Sequence, residues 1–480
     1  MSVAAPEAEP GRTLVETVME DIRQRIAARS LAPGARVPSL RRLAETLGVS
    51  KSTVVEAYDR LAAEGAIVAR PGSGFYVTRR TRPFTLAPPA RPAERGIDPL
   101  WIMRQSLDQG AAARAGEVLR PGCGWLPPDW LPDAQLRRAM RGLARDAAAD
   151  LSEYDAPLGF APLRRHLADR LDGRGIDAGP ERILLTDSGT QAIDLVCRFL
   201  LQPGDTVLLD DPCYFNFQAI MRAHRATVVG VPYTPDGPDL AAFARAAAEH
   251  RPRLYVTNAT LHNPTGASLA AASVHRLLKL AEAHDIVVVE DDIFADFEAE
   301  PAPRLAAFDG LDRVIHVGSF SKTLSAAVRC GFLAARADWI EGIADLKLAT
   351  TFGNGALAAQ LVHRMLVDGG YRRHLDGLRG RLARAMGETA RRLRKAGLEL
   401  WVEPRAGMFL WARLPDGLDS AAVAGRALQH GVVLAPGDVF SPSRSAGAYL
   451  RFNVAQCADP RVFEVLRRAM AEAAGDRPAA

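Results

Sequence analysis

Between residues 183 and 317 short apolar runs alternate with helical patterns, and this alternation limits the possible folds more than any other feature. The runs span residues 183–185, 206–210, 226–231, 254–257, 286–290 and 313–317. Such runs are typical of strands buried on both faces of a largely parallel α/β sheet. After about residue 352 long helical patterns predominate, with strands near 410–412 and 449–452, which indicates a smaller C-terminal α+β subdomain.

The first 80 or so residues follow a different pattern. Apolar periodicity predicts three helices, over residues 13–30, 40–47 and 50–64. Gly48 lies in the tight turn between the second and third helices, where positive φ is needed. Two short apolar strands follow, at residues 67–69 and 75–77, with a hairpin tip at 70–74. Helix, glycine turn, helix and hairpin together predict a winged helix-turn-helix domain.

The basic surplus of the chain lies in the same segment. Residues 1–82 contain 13 Lys or Arg and 9 Asp or Glu, a surplus of 4 that equals the net charge of the whole chain. This asymmetry indicates a nucleic-acid contact, and the alternative is a winged helix that binds protein. Hydroxyl and basic groups at a helix start can reach bases and phosphates, and a hairpin tip can enter the minor groove. The residues predicted to contact DNA are Arg41, Ser50, Lys51, Ser52, Thr53, Arg70, Gly72, Ser73 and Gly74.

The motif Leu-Gly-Val-Ser-Lys-Ser-Thr-Val at 47–54, with Arg-Pro-Gly-Ser-Gly-Phe-Tyr-Val at 70–77, resembles the DNA-binding domain of the GntR family. The resemblance covers about residues 13–78. It implies that Arg41, Ser50, Lys51, Thr53 and the glycines of the hairpin tip contact double-stranded operator DNA.

The other segments complete the predicted domain organisation. Residues 1–12 are predicted to be a disordered leader, residues 79–99 a Pro- and Arg-rich linker, and residues 100–475 the α/β domain, with a first helix over 100–117. Five scattered cysteines without metal spacing favour a reducing compartment. Neither a signal peptide nor a run of roughly 18 apolar residues is evident, so we expect a cytoplasmic protein.

The segment 319–331 carries the strongest chemical signal of the large domain. Lysine occurs at only five positions, 51, 279, 322, 347 and 395. The amine of Lys322 can form a Schiff base with an aldehyde, which an arginine cannot do. The hydroxyls of Ser319 and Ser321 and the permanent cation of Arg329 can bind a phosphate. An amine beside a phosphate site is what pyridoxal 5′-phosphate requires, and the alternative is an ordinary loop with a surface lysine.

Further polar residues at the ends of predicted strands extend this constellation. Ser188, Gly189 and Thr190 open a helix, whose first amides favour phosphate. Asp291 ends an apolar strand, where a carboxylate can keep a pyridine nitrogen protonated. Three more side chains fit the ring and a ligand: Asn263 as a donor to O3′, Tyr214 as a stacking partner, and Arg451 as a bidentate partner of a carboxylate. Each of these residues alone could be structural.

The ordered set resembles the fold type I pyridoxal phosphate enzymes, the aspartate aminotransferase superfamily, over about residues 120–475. The resemblance implies that Lys322 forms the internal aldimine and that Asp291 pairs with the pyridine nitrogen. It assigns the phosphate to Ser188, Gly189, Thr190, Ser319, Ser321 and Arg329. Tyr154 matches a tyrosine that reaches the phosphate of the neighbouring subunit, which implies a homodimer. A GntR-type domain fused to this fold resembles the MocR-type transcriptional regulators.

Two departures from the family pattern bear on activity. Ile293 and Phe294 stand where the family supplies a phenol near O3′, and Ala326-Ala327 replaces the usual Pro-Gly. The missing phenol argues against efficient transamination, whereas cofactor binding should persist. We therefore expect a DNA-binding regulator whose large domain senses pyridoxal phosphate, or an amino compound as its external aldimine. The alternative is an active aminotransferase that uses Lys322 as proton shuttle and carries an accessory DNA-binding domain.

Overall fold

The computed structural model describes residues 13–78, 117–146, 153–415 and 417–475, which belong to two compact units divided near residue 95. The predicted leader, the predicted linker and nearly all of the helix predicted over 100–117 lie outside the described residues.

The N-terminal unit is the predicted winged helix-turn-helix. Its elements are α1 (Leu14–Ala27), α2 (Leu40–Leu47), α3 (Lys51–Ala63), β1 (Ile67–Arg70) and β2 (Gly74–Val77). The side chains of Thr13, Ser39 and Ser50 cap the three helices, because each accepts a hydrogen bond from a backbone N–H of the first turn. Gly48, with φ of 67°, ends α2. Buried residues of all three helices and both strands form one small core.

The large domain is built on an eight-stranded sheet. Its strands are β3 (Ile183–Thr186), β4 (Thr206–Asp211), β5 (Thr227–Thr234), β6 (Gly237–Pro238), β7 (Leu254–Thr257), β8 (Val287–Asp291), β9 (Val314–Ser319) and β10 (Gly331–Ala334). They lie in the order β3-β10-β9-β8-β7-β4-β5-β6. The five neighbours from β9 to β5 are parallel, and only β10 and the two-residue β6 pair antiparallel with their neighbours. The mainly parallel sheet is thus confirmed, and β10 is a strand that the sequence pattern did not separate from the preceding loop.

Helices cover both faces of this sheet, and an apolar cluster fills each face. They are α4 (Asp133–Ala144), α5 (Ala161–Asp172), α6 (Gly189–Leu200), α7 (Phe215–Ala223), α8 (Leu240–His250), α9 (Ala271–Ala283), α10 (Leu305–Asp309), α11 (Ala337–Thr351) and α12 (Ala356–Val367). Across the described ranges, no helix combines the length and the apolar character needed to cross a membrane.

The C-terminal subdomain is α+β, as predicted. It contains α13 (Gly370–Lys395), β11 (Glu399–Leu400), β12 (Phe409–Arg413), α14 (Ser420–Gln429), β13 (Ala435–Pro436), β14 (Tyr449–Asn453) and α15 (Arg461–Gly475). Its four strands form an antiparallel sheet in the order β11-β12-β14-β13. Helix α13 joins the two cores, because Tyr371 and Leu375 pack in the large domain whereas Leu378 and Leu382 pack in the subdomain.

Consecutive carboxylates at the end of β8 point to opposite sides of the sheet, because side chains alternate along a strand. Glu290 accepts hydrogen bonds from the first amides of α10, at 2.8 and 3.0 Å. Asp292 pairs with the buried guanidinium of Arg304, whose Nε lies 3.1 Å from Oδ2, and Arg304 also pairs with Glu298. Asp291, between them in sequence, lines the large cavity described next.

Candidate functional site

The carboxyl ends of the parallel strands open into a cavity of about 960 Å³. This edge is where open α/β sheets bind ligands, and the volume suits a small molecule. Eleven of the predicted residues line it: Ser188, Gly189, Thr190, Tyr214, Asn263, Asp291, Ser319, Ser321, Lys322, Arg329 and Arg451. One cavity therefore collects every residue predicted for the cofactor and the carboxylate except Tyr154.

Lys322 lies on the loop that joins β9 to β10. Its Nζ donates a hydrogen bond to the carbonyl of Gly124, at 2.6 Å. The next residue, Thr323, is buried and shares a 2.6 Å hydrogen bond with the hydroxyl of Tyr371 at the start of α13, which fixes the loop. Burial, and then the positive charge of Arg451, lower the pKa of Lys322 to about 8. An amine with this pKa is partly unprotonated near neutral pH, as attack on an aldehyde requires.

Asp291 shows the opposite perturbation. Its carboxylate is buried and accepts a hydrogen bond from the amide of Ile293, at 3.2 Å. Burial raises the pKa of Asp291 to about 6. The side-chain amide of Asn258 donates to the backbone carbonyl of Asp291, at 2.9 Å, and so holds this strand end in place. A buried carboxylate that gains from a positive partner fits the protonated ring nitrogen of pyridoxal phosphate.

A further group of residues that line the cavity fits a phosphate. The hydroxyls of Ser319 and Ser321 lie 3.0 Å apart. Gly189 begins α6 beside them, since a Cβ on that glycine would lie 3.8 Å from the Cβ of Ser319. Arg329 is exposed, and within the described segments it pairs with no carboxylate. Hydroxyls, helix-start amides and a guanidinium that line one cavity match the charge and acceptor capacity of a phosphate.

Arg451 is the most deeply buried cation of the cavity, 1% exposed. Its Nη1 donates to Oδ1 of Asn263 at 2.8 Å, and its Nη2 donates to the carbonyl of Gly122 at 2.7 Å. The rings of Phe409 and Phe440 lie 4.4 and 4.6 Å from its Cζ. Burial lowers the pKa of Arg451 to about 10, and its buried Nε has no hydrogen-bond partner among the described residues. A carboxylate ligand would satisfy that group.

The same contact orients Asn263. A guanidinium only donates hydrogen bonds, so the amide must present its oxygen to Arg451. The NH2 group of Asn263 is then left to donate to another acceptor, as the predicted contact with O3′ requires. Asn263 and Arg451 thus form a pair in which each fixes the polar direction of the other.

Sequence reasoning missed Gly124 and Asn258, among other residues that line the cavity. Asn258 directly follows β7 as Asp291 ends β8, so the rule that strand ends meet could have found it. Gly124 lies in an irregular segment without a local signal. Tyr154 lies outside the cavity with 79% of its surface exposed, and its ring centroid is 4.9 Å from that of Phe352. Its predicted role in a neighbouring subunit therefore stays a prediction.

The predicted DNA-binding residues at the start of α3 form one cluster. The hydroxyl of Ser50 lies 2.7 Å from that of Ser52 and 2.8 Å from that of Thr53. Lys51 and Ser52 are exposed at the first turn. Arg41 is exposed at the start of α2 and pairs with Glu45, its Nε 3.1 Å from the carboxylate.

The predicted hairpin tip is also formed. Gly72 and Gly74 have φ of 71° and 101°, values that favour glycine. The hydroxyl of Ser73 lies 2.6 Å from that of Tyr76, and the Cζ of Arg70 lies 4.4 Å from the Tyr76 ring centroid. The tip is therefore held by its own side chains.

A winged helix-turn-helix followed by a sheet with a pyridoxal phosphate-type cavity defines a class of two-domain protein. Residues 14–77 match the family "Bacterial regulatory proteins, gntR family", and residues 127–468 match "Aminotransferase class I and II". The chain belongs to the aminotransferase class I and II family, with a GntR-family domain in front, which is the MocR-type arrangement. This membership implies pyridoxal 5′-phosphate as the cofactor, and the residues of the cavity fit it.

Individual relatives of the chain include a protein named as a transcriptional regulator and proteins named as aminotransferases. An uncharacterised HTH-type transcriptional regulator of Escherichia coli, YdcR, is 30% identical over 92% of this chain and 94% of its own. A 2-aminoadipate transaminase of Thermus thermophilus is 30% identical over 73% of this chain and 89% of its own. The crystal structure of LysN, an α-aminoadipate aminotransferase from Thermus thermophilus, is similar with a TM-score of 0.71 and 27% identity, covering 78% of this chain and 95% of that one.

Proposed function

We propose that the protein is a sequence-specific DNA-binding transcriptional regulator whose aminotransferase-like domain binds pyridoxal 5′-phosphate and senses a carboxylate-bearing amino compound. The observation that supports the sensing role is Arg451, a buried cation whose Nε has no partner in the described segments, in the same cavity as Lys322. Leaving a buried guanidinium nitrogen without a hydrogen-bond partner is costly, so binding of a carboxylate at Arg451 is favourable. A regulator of this kind acts on DNA, so we also propose a cytoplasmic location.

Each residue of the cavity has a part in holding the cofactor and the ligand. Pyridoxal phosphate, when bound, supplies an aldehyde for an amine and a ring that withdraws electrons. Asp291 would stabilise a proton on the ring nitrogen, Asn263 would donate to O3′, and Tyr214 would cover one ring face. Nζ of Lys322, with its pKa near 8, can take up or release a proton close to neutral pH. Arg451 would orient the carboxylate of the ligand.

We further propose a homodimer whose second copy is reached by Tyr154. The exposed aromatic pair Tyr154 and Phe352 lies on the large domain, where Met140, Leu357 and Val367 are exposed apolar side chains as well. Exposed apolar side chains of this size, when they lie together, favour burial against another protein surface. The expected partner is a second copy of the same chain.

The second candidate function is aminotransferase activity. It is favoured by the eleven predicted residues that line one cavity and by similarity to a protein named as a 2-aminoadipate transaminase. Ile293 and Phe294, which replace the family's phenol, argue against rapid turnover. The two functions separate in one measurement, because a sensor changes DNA binding on ligand addition whereas an enzyme releases keto acid over many turnovers.

The decisive experiment uses the full chain and a DNA duplex selected by it from a randomised pool. Amino acids are added with pyridoxal phosphate, and DNA affinity, visible absorbance and keto acid are measured together. For a regulator, one class of amino acid changes both absorbance and DNA affinity without repeated keto acid release. Lys322→Ala should abolish the absorbance change and the response, whereas Lys279→Ala, at an exposed lysine of α9, should leave both intact. Repeated keto acid release without selective DNA binding would instead establish the enzyme.

A further inference from the structure

The residue before Asn263 is a fully buried histidine, His262, which is 0% exposed. It begins a closed turn over residues 262–267. Its amide donates to the carbonyl of Ala267 at 2.8 Å, and its carbonyl accepts from the amide of Gly266 at 2.6 Å. The turn carries Asn263 at the wall of the cavity. Because the turn belongs to neither a helix nor a strand, its position depends on side-chain contacts.

Three groups hold the imidazole of His262 in place. Its Nδ1 shares a 2.8 Å hydrogen bond with the hydroxyl of Thr265, inside the same turn. The ring of Tyr233, on β5, is stacked on it, with centroids 3.9 Å apart and an interplanar angle of 12°. Its Nε2 lies 3.3 Å from Oδ2 of Asp210, on β4, and has no aligned hydrogen-bond acceptor among the described residues. The imidazole therefore attaches the turn to two strands of the sheet.

Asp210 is a buried carboxylate, 0% exposed. It accepts hydrogen bonds from the hydroxyls of Tyr255, at 2.5 Å, and Thr257, at 2.7 Å. Within the described ranges, His262 is the only basic side chain at ion-pair distance from it. Burial of a carboxylate is costly unless polar groups compensate it, so the imidazole is favoured beside Asp210. This contact lies outside the residues that line the cavity.

The peptide bond between His262 and Asn263 connects the buried contacts to the cavity. Oδ1 of Asn263 accepts from Nη1 of Arg451 at 2.8 Å. A displacement of His262 also displaces Asn263, because adjacent Cα atoms are held about 3.8 Å apart. Hydrogen bonds weaken steeply when they are misaligned, so the direction of the Asn263 amide depends on the anchored imidazole.

We propose that His262, held by Asp210 and Tyr233, is a positioning residue that directs the amide of Asn263 toward O3′ of pyridoxal phosphate. The inference rests on the proposed function of the cavity, in which Asn263 donates to O3′. His262 does not line the cavity, so its effect on the cofactor should pass entirely through Asn263. This property distinguishes a positioning residue from one that contributes only to stability.

The test titrates cofactor-free, full-length protein with pyridoxal phosphate and follows visible absorbance. Asn263→Ala should weaken binding about 10- to 100-fold, the range for one hydrogen bond to a charged group. His262→Leu should weaken it about tenfold, because the amide is misdirected rather than removed. The double variant should bind within about twofold of Asn263→Ala, since His262 has no route to the cofactor once the amide is gone. His262→Gln, which keeps a hydrogen-bonding side chain, should lose less affinity than His262→Leu.

A second measurement is the pH at which the visible band of the bound cofactor changes. A hydrogen-bond donor to O3′ favours the ionised form of that oxygen. Loss of the donor should therefore raise this pH by about one unit in Asn263→Ala, and His262→Leu should move it in the same direction. A loss of stability alone would not move this pH.

Two control variants are matched to His262→Leu. Tyr233→Phe keeps the stacked ring and removes a buried hydroxyl that has no hydrogen-bond partner among the described residues, so it should bind the cofactor as wild type does. His316→Leu removes another histidine that is 0% exposed, on β9, and should also leave cofactor binding unchanged. Far-ultraviolet circular dichroism shows whether each variant is folded. Should His262→Leu not fold, Asp210→Asn, which removes only the charge beside the ring, must show the same non-additivity with Asn263→Ala.

The possible failures are distinguishable. Additive losses for His262→Leu and Asn263→Ala, or an equal loss in His316→Leu, would overturn the inference alone. Unchanged binding in His262→Leu, beside the expected loss in Asn263→Ala, would do the same. Unchanged binding in Asn263→Ala would overturn the proposed contact with O3′ and the inference with it, and a wild-type chain that binds no pyridoxal phosphate would overturn the proposed function itself.

Discussion

Replacing Arg451 with glutamine should raise the pH at which Lys322 becomes able to bind the cofactor. Nη2 of Arg451 and Nζ of Lys322 lie 3.8 and 4.0 Å from one point, the Cβ position of Gly124, so they are at most 7.8 Å apart. Two positive charges at this separation repel by about 2 kcal/mol at an effective dielectric constant near 20. That energy corresponds to about 1.5 pKa units. Arg451→Gln removes the charge and keeps a hydrogen-bonding side chain.

The direction of the expected pH shift follows from the protonation state in which the amine of Lys322 reacts. Only unprotonated Lys322 can attack an aldehyde, and its pKa is about 8 in the wild-type protein. Below that pKa the apparent affinity for pyridoxal phosphate should fall about tenfold for each pH unit. In the variant the decline should begin about 1.5 pH units higher, because one of the two main causes of the lowered pKa is gone. Burial remains, so the pKa of Lys322 should stay below its ordinary value.

The assay titrates cofactor-free protein with pyridoxal phosphate across about pH 6 to 10 and follows visible absorbance. Arg336→Gln serves as the control, since it removes an exposed arginine paired with Asp338 on the surface, and its midpoint should match wild type. Far-ultraviolet circular dichroism confirms that each variant is folded. A midpoint that stays in place or moves to lower pH in Arg451→Gln would refute the electrostatic coupling of the two residues.

Three further perturbations test the packing around the site. Arg304→Met, which leaves two buried carboxylates without their partner, should lower the free energy of unfolding in urea by about 3–5 kcal/mol. Arg336→Gln, which removes a surface ion pair, should leave the free energy of unfolding close to the wild-type value. Gly266→Ala should cost about 2–4 kcal/mol in the same assay and weaken cofactor binding, because φ is 75° and the new Cβ would lie 2.5 Å from Cγ of Pro404. Burial lowers the pKa of Lys347 to about 8, so the native state binds its proton less tightly than the unfolded state does. Wild-type stability relative to Lys347→Met should therefore rise from about pH 8 to about 10.4, and parallel profiles would contradict this.

The sequence was sufficient to predict that residues at the ends of strands lie close together. Asp291 closes β8 and Ser319 closes β9, and the parallel arrangement brings both ends to one edge. What could not be predicted are contacts between distant irregular segments. The carbonyl of Gly122 accepts from Arg451, 329 residues away, and the carbonyl of Gly124 accepts from Lys322, 198 residues away. Neither glycine lies in a periodic pattern, so only the folded chain shows that their carbonyls position the side chains of Arg451 and Lys322.

Residues 34–37 illustrate a second limit of prediction from the sequence. Residues 34–37 lie between Pro33 and Pro38 and contain a single fully buried apolar side chain, Val37, so no alternation indicates a strand. Their strand character comes from backbone hydrogen bonds to β2, which depend on how the hairpin packs on the helices.

Position 294 connects the missing phenol to ligand recognition. Phe294 is buried, and its ring centroid lies 5.5 Å from that of Phe409, whose own ring lies 4.4 Å from the Cζ of Arg451. A phenol hydroxyl within this aromatic packing would be buried without a partner unless it reached the cavity, and burial without a partner is costly. Phe294 instead packs against Phe409, whose ring lies against the guanidinium that we propose to bind a carboxylate. The cavity thus has the lysine and the arginine that binding of an amino compound requires, but lacks the phenol that favours rapid turnover. This combination is expected of a sensor.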